Sequence, residues 1–203
     1  NMTRIAVIFL MLVALAGPLF SQNEPVTRQL PEICLSPVEE ALYKQVNEYR
    51  AQKGLPAVKL SYSLCVVAVT HCRDQAAHYS DGKGCNLHSW SDQGTWKPVC
   101  YTPDHKQADL MWSKPRELTN YRGNGYEISF WSNYNYATPE AFARDILNGW
   151  KKSAGHNNVI LNRDIWKKVE WQSMGVGIFG GYANVWFGEE RDEEPWPETC
   201  AAR

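Results

Sequence analysis

Met174-Gly175-Val176-Gly177-Ile178-Phe179-Gly180-Gly181-Tyr182-Ala183-Asn184-Val185-Trp186-Phe187 is the stretch on which the fold turns. It divides into two short strands, Met174 to Phe179 and Tyr182 to Phe187, around Gly180-Gly181. Two glycines at that place are a strong signal for a two-residue hairpin, whose central positions need positive φ. Gly175 and Gly177 alternate with Val176 and Ile178, which leaves one face of the first strand bare. A helix is therefore expected to pack closely there.

Moving towards the N-terminus, the chain supplies helices for that sheet. Thr138-Pro139-Glu140 opens one, with Phe142, Ile146 and Trp150 stacked at i, i+4, i+8, and Ser153 then caps a short helix ending near Leu161. A helix from about Ser63 to Tyr79 carries Leu64, Val67, Ala68, Cys72, Ala76 and Tyr79 on one face. The first helix is the best signalled. Ser36-Pro37-Val38-Glu39 is a capping box with proline at the first helical position, Val38, Leu42, Val46 and Tyr49 repeat at helical spacing, and Gly54 supplies the stop. The segment from Ser80 to Trp131 shows no period, and it is read as a long irregular loop over helices packed on a small antiparallel sheet, an α+β fold.

The ends and the composition bound the function. Asn1 is set aside. Arg4 precedes an uncharged apolar run, Ile5 to Ala16, of secretory length and too short for a stable transmembrane helix. This reads as a signal peptide within residues 1–21, cleaved after Ala16 or Ser21, and the chain is expected to be secreted and soluble, one domain over 34–200. The formal net charge is −1 with basic residues scattered, so nucleic acid is excluded as a partner. The acidic run Glu189 to Glu194, interrupted by Arg191, is read as a solvated exit segment.

Six cysteines in an exported chain read as bridges rather than metal ligands. Cys65 and Cys72 stand seven residues apart on one helix, roughly 10 Å between Cα atoms, and a disulfide needs less than about 7 Å. Cys85 and Cys100 bracket a short loop and are the favoured pair, and Cys34 and Cys200 are free to clip the termini together.

Several segments, in order, resemble the CAP superfamily (cysteine-rich secretory, antigen 5, pathogenesis-related 1) in its short bacterial form. Val46-Asn47-Glu48-Tyr49-Arg50 with Gly54-Leu55-Pro56 resembles the family's first helix and its N-x-x-R…G-L-P ending. Trp150-Lys151-Lys152-Ser153-Ala154-Gly155-His156-Asn157-Asn158-Val159-Ile160-Leu161 resembles W-x-x-S-P-G-H-R-x-N-I-L, Met174-Gly175-Val176-Gly177 resembles the I-G-V-G strand, and Leu87-His88-Ser89 resembles the histidine motif after the second helix. The resemblance implies an α-β-α sandwich and a cleft with two histidines and two acids. By position these are His88, His156 and Glu127 of Gly125-Tyr126-Glu127-Ile128, where the family has Gly-Glu-Asn. Ser153 stands where the second acid belongs, so the tetrad becomes a triad.

Two imidazoles and a carboxylate are sensible zinc ligands, with His nitrogen at roughly 2.0 Å and an open position for an activated water. The competing reading is that they are hydrogen-bonded groups organising a loop over a helix end. His156 lies in the first turn of its helix, where the dipole disfavours the cation. His71 falls on an apolar helix face and reads as a satisfied core histidine, while His78 and His105 read as exposed. Ser153 reads as a cap rather than a nucleophile, and thiol chemistry is disfavoured by bridging.

Trp90, Trp96, Tyr101, Trp112, Tyr121, Tyr126, Trp131, Tyr134 and Tyr136 crowd the irregular segment and the residues just beyond it. For most of them the favoured reading is the loop's own small core; one or two at a rim are left as ligand contacts for a sugar ring or flat apolar molecule. Three functions are open to such a chain. The favoured one is a non-catalytic binding module for which the resemblance suggests an extracellular lipid or sterol, glycan or protein partner, with a weak divalent-metal site, zinc, at His88 and His156 with Glu127. The others are a metal-assisted hydrolase using His88, Glu127 and His156, and a structural protease-resistant module.

Overall fold

The computed structural model describes residues 27–80 and 84–201. The apolar run Ile5 to Ala16 and both cleavage positions lie outside the described residues. In chain order the elements are β1 (Cys34–Leu35), α1 (Pro37–Gln52), β2 (Lys59–Leu60), α2 (Tyr62–His78), α3 (Ala108–Trp112), α4 (Lys114–Leu118), β3 (Gly125–Trp131), α5 (Pro139–Lys152), α6 (Ala154–Ile160), a 3₁₀ turn (Asp164–Trp166), β4 (Ser173–Phe179), β5 (Tyr182–Gly188) and β6 (Glu198–Thr199). Among the described residues no helix is long and apolar enough to cross a membrane.

The hairpin forms as its glycines require, with Gly180 at φ 59° and Gly181 at φ 84°, and it seeds a sheet of order β2-β4-β5-β3. The three long strands are antiparallel, but β2 pairs with β4 in parallel, so the expected antiparallel sheet is corrected to a mixed one. β2 covers only Ser173 and Met174 of its neighbour. Beyond them two amides on that open edge find side chains instead: Val176 N–H donates to Cys65 Sγ at 3.3 Å and Ile178 N–H to Glu39 Oε1 at 2.8 Å. Glu39 also closes the capping box of α1, accepting from the Ser36 amide at 2.8 Å, so one carboxylate serves a helix start and a strand edge.

Helices cover both faces. On one side Leu42 and Val46 of α1, Ile146 and Trp150 of α5 and Ile160 of α6 pack on Ile128, Val176, Val185 and Phe187 of the strands. On the other, α2 lies against the bare face, where Leu64, Val67 and Ala68 join Trp90, Val99, Met111, Tyr121 and Trp186 in a second cluster. The absent side chains are what permit this approach. A Cβ at Gly175 would stand 2.1 Å from the Leu64 backbone, and one at Gly177 would stand 2.3 Å from the Val69 amide. We expect Gly177→Ala to cost about 1–3 kcal/mol through overpacking, and Gly155→Ala, in open space on α6, to cost nothing or to stabilise slightly. Thermal unfolding of the two variants checks this, and equal melting temperatures would refute the close-packing account.

The segment Ser80 to Trp131 is more regular than expected. It holds α3, α4 and all of β3, whose apolar Tyr126, Ile128 and Phe130 face one helical layer while Glu127 and Ser129 face α2. Period-two alternation is present there, hidden by two polar residues that turn out to be buried.

Both favoured pairings and the exclusion of a Cys65–Cys72 bridge hold, and the reading of all six cysteines as bridges is corrected. Cys85–Cys100 and Cys34–Cys200 are bonded, whereas Cys65 and Cys72 remain free, buried thiols on the face of α2 that meets the sheet. The acidic segment is corrected too. Asp192 accepts from Ser61 Oγ at 2.6 Å and from the Ser63 amide at 2.8 Å, so it caps the start of α2, where a negative charge meets unpaired N–H groups.

Candidate functional site

The edge strand β3 presents Glu127 towards α2, and this fixes the centre of the site. The Glu127 carboxylate is fully buried, with Oε2 2.5 Å from His71 Nδ1 and Oε1 2.9 Å from His88 Nδ1. His71 comes from α2 and its Nε2 lies 2.9 Å from the Ser89 carbonyl. A carbonyl only accepts, so Nε2 carries a hydrogen, and His71 and Glu127 must share one more proton between Nδ1 and Oε2. Trp90 lies flat on the His71 ring, centroids 4.2 Å apart at 4°, and prevents it from turning away.

His88 is held by the segment that follows α2. The disulfide Cys85–Cys100 closes that segment, the Trp90 amide pairs with the Val99 carbonyl, and the His88 amide donates to Asn86 Oδ1 at 3.0 Å. Its Nδ1 faces a carboxylate and donates to it, which leaves Nε2 as the ring's remaining polar atom. His156 enters from the other helical layer, in the first turn of α6, with its ring centroid 6.4 Å from that of His88. The position of α6 traces back to α1: Arg50, itself buried, donates to Asn162 Oδ1 at 2.7 Å and to the Ile160 carbonyl at the end of α6. Asn47 binds the Val58 amide and carbonyl at 2.8 and 3.0 Å, so the N-x-x-R pair of the first helix fixes both the β2 entry and the α6 exit.

The electrostatics follow from this packing. Burial pushes the Glu127 pKa up, but the charge of His71 and the hydrogen bonds from His71 and His88 outweigh it and hold the carboxyl below its ordinary range. Burial, and then the neighbouring His88, push the His156 imidazole down to about 4, so it is neutral at pH 7. The thiols are inert: burial drives Cys65 up to about 12 and Cys72 well above its ordinary value.

The structure thus brings together His88, Glu127 and His156, and adds His71. His71 is the satisfied core histidine expected from its helix face, but its partner, 56 residues away, is the site carboxylate itself. A buried acid and a buried histidine each lacking a local partner are the signal that could have joined them. Ser153 stands at the N-cap of α6 as expected, yet its hydroxyl makes no cap bond, and among the described residues no hydrogen bond joins it to the imidazoles. His78 and His105 are exposed, as expected.

A divalent metal fits this arrangement poorly. Both oxygens of Glu127 are already committed to imidazole nitrogens, and among the described residues no group of three or more His, Cys, Asp or Glu side chains is arranged to hold an ion. What the arrangement can do is fix two imidazoles beside one another on a rigid polar base. No activated nucleophile accompanies them among the described residues.

The profile of the cysteine-rich secretory protein family (CAP) matches residues 43–178. An extracellular protein containing an SCP domain from Bacillus anthracis is similar in structure, at 17% identity, covering 75% of this chain and 40% of that one, with a TM-score of 0.50. A cysteine-rich secretory protein from Staphylococcus aureus (18% identity, 75% of this chain, 38% of that one, TM-score 0.47) and an outer surface protein from Borrelia burgdorferi (14%, 80% and 100%, TM-score 0.48) are also similar. The chain spans about two fifths of the length of the first two. At such identities the Bacillus likeness concerns the fold alone. Among curated proteins none matches the sequence.

Proposed function

The chain belongs to the cysteine-rich secretory protein (CAP) family, and from that premise we propose that it is a secreted binding module whose histidine cleft is a rigid polar framework rather than a catalytic centre. The observation that carries this reading is the saturated carboxylate: Glu127 is enclosed by His71 and His88 and is free neither to hold a metal nor to accept a proton from a substrate. Two disulfides support a life in an oxidising compartment. A partner is then an extracellular lipid, glycan or protein.

The His88 and His156 rings stand with centroids 6.4 Å apart, and two imidazole ligands make at most a weak zinc site. Zinc titration calorimetry on the 34–200 domain is expected to give at most weak binding, about 1 mM or worse, that disappears in His88→Ala/His156→Ala. Tight, saturable binding accompanied by zinc-dependent ester or peptide hydrolysis, both lost in the double variant, would overturn the proposal in favour of a hydrolase.

A further inference from the structure

Tryptophans and tyrosines crowd the chain between residues 90 and 136, and the fold absorbs most of them. Trp90, Tyr101 and Tyr121 are buried, and Trp96, Trp112, Tyr126 and Tyr136 are half-buried. Two are not absorbed. Trp131 is 49% exposed at the end of β3, and Tyr134 is 75% exposed in the loop that leads to α5. That end of the strand is far along β3 from Glu127, so these rings have no part in the histidine cleft.

The loop is built rather than slack. Tyr136 stacks on Phe142 with centroids 4.4 Å apart at 12°, and its hydroxyl bonds Ser132 Oγ at 2.9 Å and Asp145 Oδ2 at 2.5 Å. Ser132 in turn accepts from the Tyr134 amide at 3.1 Å and donates its own amide to the Gly181 carbonyl at 3.0 Å. These bonds hold Tyr134 out into solvent, 5.5 Å from Tyr136, over an open hollow of 490 Å³. Asn133, Arg144 and Asn148 line the same hollow, and among the described residues none of the three side chains has a hydrogen-bond partner. Holding an aromatic ring in water beside three uncommitted planar donors offers nothing to the packing of the domain.

The combination has a definite chemistry. A pyranose presents a flat C–H face to an aromatic ring and a rim of hydroxyls that pair with amide, carboxylate and guanidinium groups. A lipid tail would need an apolar lining, which the asparagines, Arg144 and Asp145 deny it. A polyanion would need excess positive charge, and Asp145 offsets Arg144. The hollow is open, so it suits an internal sugar of an extended chain better than an enclosed end group. We infer that the β3–α5 loop, with Tyr134 as platform and Asn133, Arg144 and Asn148 as hydroxyl partners, is a subsite for a neutral extended oligosaccharide. This inference rests on the binding-module reading and names one ligand class for it, at a place separate from the histidine cleft.

Affinity electrophoresis of the 34–200 domain through gels containing hydroxyethylcellulose, xylan or glycol chitin tests it. Wild type should be retarded by at least one of these polymers. Tyr134→Ala should weaken that retardation at least about tenfold, and Tyr134→Trp should preserve it. Unchanged far-ultraviolet circular dichroism and melting temperature in Tyr134→Ala would confirm that an exposed ring was removed without unfolding. His88→Ala/His156→Ala, where folded, should be retarded like wild type. No retardation by any polymer, equal retardation of wild type and Tyr134→Ala, or selective loss in a folded histidine variant would each overturn the subsite. Failure here leaves the binding-module reading standing, whereas zinc-dependent turnover would remove that reading without touching the gel result.

Discussion

Glu127→Ala should destabilise the domain by about 3–5 kcal/mol, the loss expected when one partner of a buried charged pair is removed and the other is left without compensation. The size follows from where the carboxylate sits. Its side chain and that of His71 have no solvent exposure, Trp90 covers the His71 ring, and water cannot reach Nδ1 to replace the lost acceptor. Glu127→Gln keeps the shape and one acceptor and should lose less, about 1–3 kcal/mol. The double replacement His71→Leu/Glu127→Leu removes both polar partners, and it should cost less than the sum of the single changes. Urea unfolding at pH 7 measures all of these proteins. A cost below about 1 kcal/mol for Glu127→Ala would mean that the carboxylate is solvated, and the account of a closed site would fail.

The same variant carries a pH signature. Glu127 is held below its ordinary carboxyl range, so its contribution is complete above the unfolded value of about 4.3 and is lost as pH falls through the folded value. The gap between wild type and Glu127→Ala should therefore be flat at neutral pH and close in acid.

The legible and illegible parts of this protein differ in range. Features written in a few neighbouring residues can be read directly: the Gly180-Gly181 turn, the capping box at Ser36, and Gly175 and Gly177 as the seat of a helix. The exclusion of a Cys65–Cys72 bridge needs only helix geometry, and both remain free. β3 escapes a sequence reading because its polar positions, Glu127 and Ser129, are buried under α2 and break the usual equation of polar with exposed. Asp192 misleads for the mirror reason: in sequence it belongs to an acidic run, in space it caps α2 across a separation of 129 residues. His88 and His156 are visible through their motifs, but the partner that sets His88 in place is visible only loosely, and the tie from His71 to that partner not at all. Side-chain pairs spanning two layers leave no local pattern.

Cys34→Ser/Cys200→Ser should lower stability by about 5 kcal/mol, the upper end for a native bridge, because the bond closes a very long loop. The two cysteines are separated by 166 residues, against 15 for Cys85 and Cys100, for which the same chain-entropy argument gives about 3 kcal/mol. The melting temperature should fall by roughly 10–20 °C. The other ties to the terminal segments are single hydrogen bonds worth about 1 kcal/mol each, through Tyr62 to Pro31 and Ile33 and through Asn120 to Arg28 and Glu194. β1 and β6 are two residues each and pair only with one another, a ribbon too short to persist alone. Denaturant unfolding of the variant decides between two accounts. A loss near 5 kcal/mol identifies the covalent clip as what keeps the C-terminal segment in place, whereas a loss below about 1 kcal/mol would assign that task to Asp192 at the start of α2 and the Arg122–Glu193 pair. The first outcome is expected because the Arg122–Glu193 pair is exposed and worth little, and the bonds to Asp192 and from Asn120 to Glu194 leave the chain beyond Glu194 to its bridged cysteine.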